Sequence, residues 1–253
     1  MPQLAPPALS APPQPLAAAA PPGQEPPTAS REQNITLRVL FLFSGPPHAA
    51  DVRSHQQRSL TDLFSPERVL LCFQYFDLVT GQDARVAAVR TQILQDISHG
   101  AYGVLLLSPP CTTFSRARHS GRLGAQPLRS RMCPLGLPAM PKSMREEADL
   151  GNTLIEVFAL AYLAALRHHC WVLWEHPEDL GSCATGTPAS VWQLREVRAL
   201  ATAFDVARGA AHMCSFGPSD SPKPTAFLTN LAPFLLRLHL GWPNFEVSGQ
   251  TFK

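Results

Sequence analysis

Val104-Leu105-Leu106-Leu107-Ser108-Pro109-Pro110-Cys111 is the stretch that decides how this chain reads. A short, uninterrupted apolar run with no polar face is what a strand buried on both sides of a parallel sheet requires. The two prolines then forbid further ladder pairing and turn the chain outward, which places Cys111 at the strand's C-terminal rim.

Runs of the same kind lie on either side. Leu37 to Phe43 (LRVLFLF) is stopped by Ser44-Gly45-Pro46-Pro47, and Val69 to Phe76 (VLLCFQYF) ends at Asp77. Trp171 to Trp174 (WVLW) is closed by Glu175-His176-Pro177, and Ala226 to Thr229 gives one more strand. Helical periodicity falls between them: Ala49 to Phe64, then Arg85 to Ser98 with Val86, Val89, Ile93 and Ile97 on one face and Gly100 ending it. Ser143-Met144-Arg145-Glu146 fits a capping box ahead of a stripe through Leu150, Leu154, Val157, Phe158, Ala161 and Ala165. Val191 to Phe204 predicts a further helix. Alternating strands and helices predict an α/β, Rossmann-like fold with a mostly parallel sheet and helices on both faces.

Composition bounds the rest. Of the 26 prolines, ten fall in the first thirty residues beside eight alanines, where Glu25 is the only charge. That segment cannot bury enough apolar surface to offset its chain entropy, so residues 1–34 are expected to be a disordered Pro/Ala-rich tail and residues 35–253 one core. No Lys or Arg precedes Arg31, and Ile155 to Leu166 is short and carries Glu156, so neither a signal peptide nor a membrane span is expected. Six cysteines without a CxxC pair or regular spacing favour reduced thiols in the nucleus or cytoplasm over a secreted disulfide frame.

Ligands of open parallel sheets bind at the C-terminal strand ends. The residues at those ends are Gly45, Asp77, Cys111 and Glu175. A lone cysteine is more often a small buried apolar group than a nucleophile, and a Glu at a strand end is usually a solvated turn residue. Asp77 and Asp83 read equally well as caps of the loop or helix after them. Together, a thiol and a carboxylate facing one pocket can perform addition chemistry.

The order Phe43-Ser44-Gly45, Asp77, Pro109-Pro110-Cys111-Thr112-Thr113-Phe114-Ser115 and Glu175-His176-Pro177 resembles the catalytic half of the S-adenosylmethionine-dependent cytosine-5 DNA methyltransferases. Pro127-Leu128-Arg129-Ser130 and Lys223-Pro224-Thr225 are similar to divergent methyltransferase-like proteins of mobile elements. The likeness spans residues 37–230. It implies a methyltransferase fold with S-adenosyl-L-methionine as cofactor and DNA as partner, RNA being the alternative substrate. It implies Cys111 as nucleophile and Glu175 as proton donor. Phe43, Gly45, Asp77, Asp83 and Pro109 are the implied cofactor contacts.

The chemistry makes such a pair necessary. Carbon 5 of cytosine is a poor nucleophile, so a thiolate must add at carbon 6 while a carboxyl group protonates N3. A free thiol is only a few per cent ionised at neutral pH and needs a cationic neighbour, for which Arg116, Arg118 and Lys223 are all candidates. Burial of Glu175 beside Trp174 would favour the protonated, donating form.

Three departures favour a second reading, a catalytically inactive methyltransferase-like module that binds nucleic acid or a protein. Pro46-Pro47 removes two backbone donors from the glycine loop. Lys223 stands where the family carries an arginine-bearing strand, and no target-recognition region is expected in 35–253.

Charge supplies the independent pointer to nucleic acid. Between Asp96 and Glu146 there is no acidic residue, while Arg116, Arg118, Arg122, Arg129, Arg131, Lys142 and Arg145 contribute +7, leaving the remainder at −5 within a total of +2. A basic run is usually a solvated face. This one lies directly after Cys111 and would contact phosphates; Ser115, Arg116, Arg118, Arg122, Arg129 and Lys223 are the expected nucleic-acid-binding residues. His168-His169-Cys170, Cys183 and His212-x-Cys214 match no trusted zinc spacing and read as packing and surface residues.

Overall fold

The computed structural model describes residues 35–42, 52–64, 69–76, 82–119, 125–183, 185–216, 223–243, 245–247 and 250–252. The expected tail, and the expected sites Phe43, Gly45, Asp77 and Arg122, lie outside them.

Strands β1 (Ile35–Leu42), β2 (Val69–Phe76), β3 (Val104–Leu107), β4 (Trp171–Pro177), β5 (Ala207–His212) and β6 (Pro224–Thr229) form one sheet in the order β2-β1-β3-β4-β6-β5. β1 pairs in parallel with β2 and β3, and β3 with β4. β6 is antiparallel to both β4 and β5, so β5 runs the same way as β1 to β4. The sheet is therefore mixed and mostly parallel.

Alternation along the strands explains the layers. Leu40, Leu42, Leu105, Leu107, Val172 and Trp174 pack on one face with α2 (Ala87–Ser98), α3 (Lys142–Arg167) and α4 (Arg195–Ala201). Val39, Phe41, Val104, Leu106 and Leu173 face the other way, onto α1 (Val52–Phe64) and α5 (Ala232–Leu238). The central strands are apolar throughout because each face meets a helix.

Several expectations need correction. α3 begins at Lys142 with Pro141 as N-cap and no capping side chain, so Ser143 lies inside the helix rather than capping it. α3 is long and apolar enough to cross a membrane by length and composition. Its apolar side is instead buried: Leu154, Val157, Phe158, Ala161 and Ala165 are core residues. The expected helix over Val191 to Phe204 divides at Leu194 into a 3-10 turn, Val191–Gln193, and α4. Glu175, His176 and Pro177 continue β4, opposite Phe227, Ala226 and Thr225 of β6, rather than closing the strand. β5, α5 and the small hairpin of β7 (Phe245–Val247) with β8 (Gln250–Phe252) have no counterpart among the sequence expectations.

The chain passes from β1 to β2 on one side and then to β3 on the other, so the strand order reverses between β1 and β3, the position where open α/β sheets take their ligands. There the Ser108 N–H donates to the Leu42 carbonyl at 3.1 Å, holding the exit of β3 against β1.

Candidate active site

Beyond Ser108, Pro109 is buried and the chain turns. The Phe114 N–H donates to the Cys111 carbonyl at 3.0 Å, closing a 3-10 turn over Thr112–Phe114. Thr113 and Phe114 are buried beneath it, so this turn is packed in place and Cys111 lies half-buried at its start.

Glu175 is supplied by β4, and its side chain is 7% exposed. Because β6 is antiparallel to β4, the pairs Glu175–Phe227 and Pro177–Thr225 lead back along β6 toward Lys223, just before the strand. The Lys223 carbonyl accepts from the Met213 N–H at 2.9 Å, which fixes its backbone. Its long side chain reaches Glu175, with Nζ 3.4 Å from Oε1, and its charge acts on the Cys111 thiol. A thiol, an ammonium and a carboxylate from three separated segments are thus brought together at the C-terminal ends of β3 and β4.

Three influences act on the thiol. Burial pushes Cys111 up; Lys223 pulls it down and the Glu175 charge pushes it up again, and burial prevails. The Glu175 carboxylate holds the Lys223 ammonium above its ordinary range, against burial and with help from Cys111. The resting site is therefore a thiol beside an ammonium–carboxylate pair.

The basic segment differs from expectation. Arg129 is 1% exposed, its guanidinium donating to the Pro134 carbonyl (2.7 Å), Asn152 Oδ1 (2.6 Å) and the Ala148 carbonyl (2.6 Å). It is buried in the fold and does not face phosphate. Arg118 donates to the Thr112 carbonyl (2.8 Å), the Gln126 carbonyl (3.1 Å) and the Glu147 carboxylate. Arg116 donates to the carbonyls of Gly181 (3.1 Å) and Ser182 (2.9 Å). Ser115 Oγ accepts from the Ala117 N–H at 3.2 Å. The physical reason is common to the arginines: an irregular segment leaves backbone carbonyls without ladder partners, and a five-donor guanidinium satisfies several at once. Exposed Arg131 and Lys142 remain on the surface.

On the cofactor side, Asp83 does not stand open for an adenine amino group. Its carboxylate accepts from Arg85 Nε at 2.8 Å and from the Arg85 N–H at 2.9 Å, and this hydrogen bonding holds it below the usual carboxylate range. Asp83 shapes the turn into α2 instead. Of the other residues in that set, Pro109 alone is described, buried at the exit of β3.

His176, one residue past Glu175, points to the opposite face of β4. It is 1% exposed, lies edge-on to Phe114 (ring centroids 5.6 Å) and Trp192 (6.3 Å), and burial brings it down to about 3, so it is neutral. With Phe114, Arg116, Asp179 and Ser190 it lines a small cleft that does not include Cys111, Glu175 or Lys223. The sequence signal for it was its place inside an extended β4, which the next residue, a proline, concealed. His169, considered for zinc, is the left-handed residue (φ 56°) that ends α3. Among the described residues no three His, Cys, Asp or Glu side chains are grouped to hold a metal ion.

No family model, curated protein or solved structure matches this chain.

Proposed function

We propose that the chain is a cytosine-5 methyltransferase-like enzyme of Rossmann-like type acting on DNA, with Cys111 as nucleophile and Glu175 as proton donor. The observation that carries this reading is the convergence of Cys111, Glu175 and Lys223 beside the reversal of strand order at which an open α/β sheet takes its ligands. S-adenosyl-L-methionine, when bound, would supply an electrophilic methyl group. Phe43, Gly45, Asp77 and Pro109 are the residues proposed to hold it; Asp83, closed by Arg85, is not among them.

Cys111 adds to carbon 6 of the target cytosine, and Glu175 gives a proton to N3, so that carbon 5 gains the electron density it lacks. The packed turn over Thr112–Phe114 fixes the thiol, and β4 fixes the carboxyl group, so both approach one base with little reorganisation. The base must leave the stack to reach them, at a cost of a few kcal/mol in duplex and less in single strands.

A second reading, an inactive module that binds nucleic acid or protein, is favoured by the closure of Asp83 on Arg85. The full chain incubated with labelled S-adenosyl-L-methionine and DNA containing 5-fluorocytosine separates the two. The enzyme reading predicts a covalent adduct that Cys111→Ser abolishes. No adduct, with no cofactor binding by calorimetry, overturns it in favour of the module; an adduct formed on RNA alone changes the substrate and keeps the chemistry.

A further inference from the structure

We infer that Lys223 is the fixed counter-charge for one negative charge shared between Cys111 and Glu175, and that the reactive thiolate forms by moving the thiol proton to the carboxylate within the site. Its use in catalysis rests on the addition chemistry proposed above, while the charge arrangement itself stands on geometry and is tested without nucleic acid.

The physical basis is charge conservation beside a buried carboxylate, with the Lys223 side chain 39% exposed. In the resting arrangement Lys223 is positive, Glu175 negative and Cys111 neutral, summing to zero. Loss of the thiol proton to solvent would set two negative charges against one ammonium, with Glu175 only 7% exposed. Transfer of that proton from Cys111 Sγ to the Glu175 carboxylate leaves a thiolate, a carboxyl group and the same ammonium. The sum stays zero, and the ammonium pairs with one site of the negative charge at 3.4 Å and acts electrostatically on the other.

This single transfer creates both forms that addition needs. As the S–C6 bond forms, the C5=C6 pair shifts to C4–C5 and the C4=N3 pair moves onto N3, which takes the proton from Glu175. Glu175 is again a carboxylate paired with Lys223, and Lys223 has kept its own proton throughout. Arg118 and Arg129 cannot take this part, because their guanidiniums are held by carbonyls and, for Arg118, by Glu147.

The test is the rate at which iodoacetamide alkylates Cys111 in the full chain at neutral pH, read from the mass of its peptide. Alkylation consumes the thiolate: the S–C bond forms as iodide leaves. Lys223→Met should slow it about ten-fold, equivalent to one pKa unit. Lys223→Arg should restore it to within about three-fold, since the charge returns. Glu175→Gln should accelerate it about ten-fold, because the ammonium then serves the sulfur alone. Buried Cys170 is the internal standard, and its unchanged protection shows that each variant is folded. An unchanged rate in Lys223→Met, or a slower rate in Glu175→Gln, with Cys170 still protected, overturns the inference. If the alkylation pattern holds and the 5-fluorocytosine adduct is absent, the methyltransferase reading fails and the shared charge stands. An adduct formed equally by the parent and by Lys223→Met overturns the role of Lys223 and leaves the methyltransferase reading intact.

Discussion

The Arg129 guanidinium lies 4.1 Å from the centre of the Phe114 ring. One stacked contact therefore joins the segment before α3 to the turn that begins at Cys111. Arg129 also donates to Pro134, Ala148 and Asn152, so it ties that segment, α3 and the Cys111 turn into one unit. Burial lowers it to about 10, still well charged at neutral pH. Its value lies in position: three acceptors and a ring face hold the buried cation, while its Nε finds no partner among the described residues.

Arg129→Met keeps much of the length and removes the donors. Two carbonyls and the Asn152 amide oxygen would lose buried partners, for a loss of about 3 kcal/mol in urea unfolding. Arg129→Lys should recover only part of that, because one ammonium cannot reproduce a planar fork stacked on a ring. Equal stability of the parent and the Met variant would show that the network contributes nothing.

His176 sets an acid limit. Its folded value of about 3 lies below the ordinary 6.5, so between those pH values the unfolded chain binds a proton that the folded chain refuses. Unfolding therefore becomes easier as pH falls through that window, by up to roughly 1.4 kcal/mol per pH unit, and the contribution is complete above it. His176→Phe keeps a ring between Phe114 and Trp192 and removes the titration. Urea melts from pH 7 to pH 4 should be flatter for that variant; parallel curves would assign the acid slope to other groups.

The four parallel strands were legible because each is an apolar run that ends in Pro, Gly or Asp, as Val104 to Leu107 shows. β5 was not, because Ala207–His212 is chosen for closeness rather than hydrophobicity. A Cβ at Gly209 would come within 2.8 Å of Leu235 and 2.9 Å of His239, so that strand is small in order to admit α5. Cys111 and Glu175 could be singled out from local pattern. Lys223 could not be chosen over Arg116 and Arg118, since only the antiparallel pairing of β6 with β4 brings it to Glu175. Charge counting also could not separate arginines that satisfy their own loop from those on the surface, as Arg129 and Arg131 illustrate.

That separation predicts which residues carry any salt-dependent affinity for DNA. Arg131→Ala and Lys142→Ala should each reduce the slope of log affinity against log salt by about 1, because both side chains reach solvent. Arg129→Met should leave the slope unchanged in folded protein. A flattened slope with Arg129→Met and none with the surface pair would place the phosphate contacts elsewhere.

Gly151 links helix packing to the Cys111 turn. It lies inside α3, where alanine ordinarily gains about 1 kcal/mol over glycine. A Cβ here would stand 2.7 Å from Thr113 Oγ1 and 2.8 Å from an Arg129 guanidinium nitrogen. Neither can withdraw freely: Thr113 is buried, and Arg129 is held by three acceptors and the Phe114 ring. Overpacking of this kind costs about 1–3 kcal/mol, so Gly151→Ala should end destabilising by about 1 kcal/mol despite its helix propensity. Since Thr113 is two residues beyond Cys111, the same variant should also change the alkylation rate of Cys111 while Cys170 stays protected. A more stable Gly151→Ala with unchanged Cys111 reactivity would show that α3 can move away from the turn, and that the packing against Gly151 does not position the thiol.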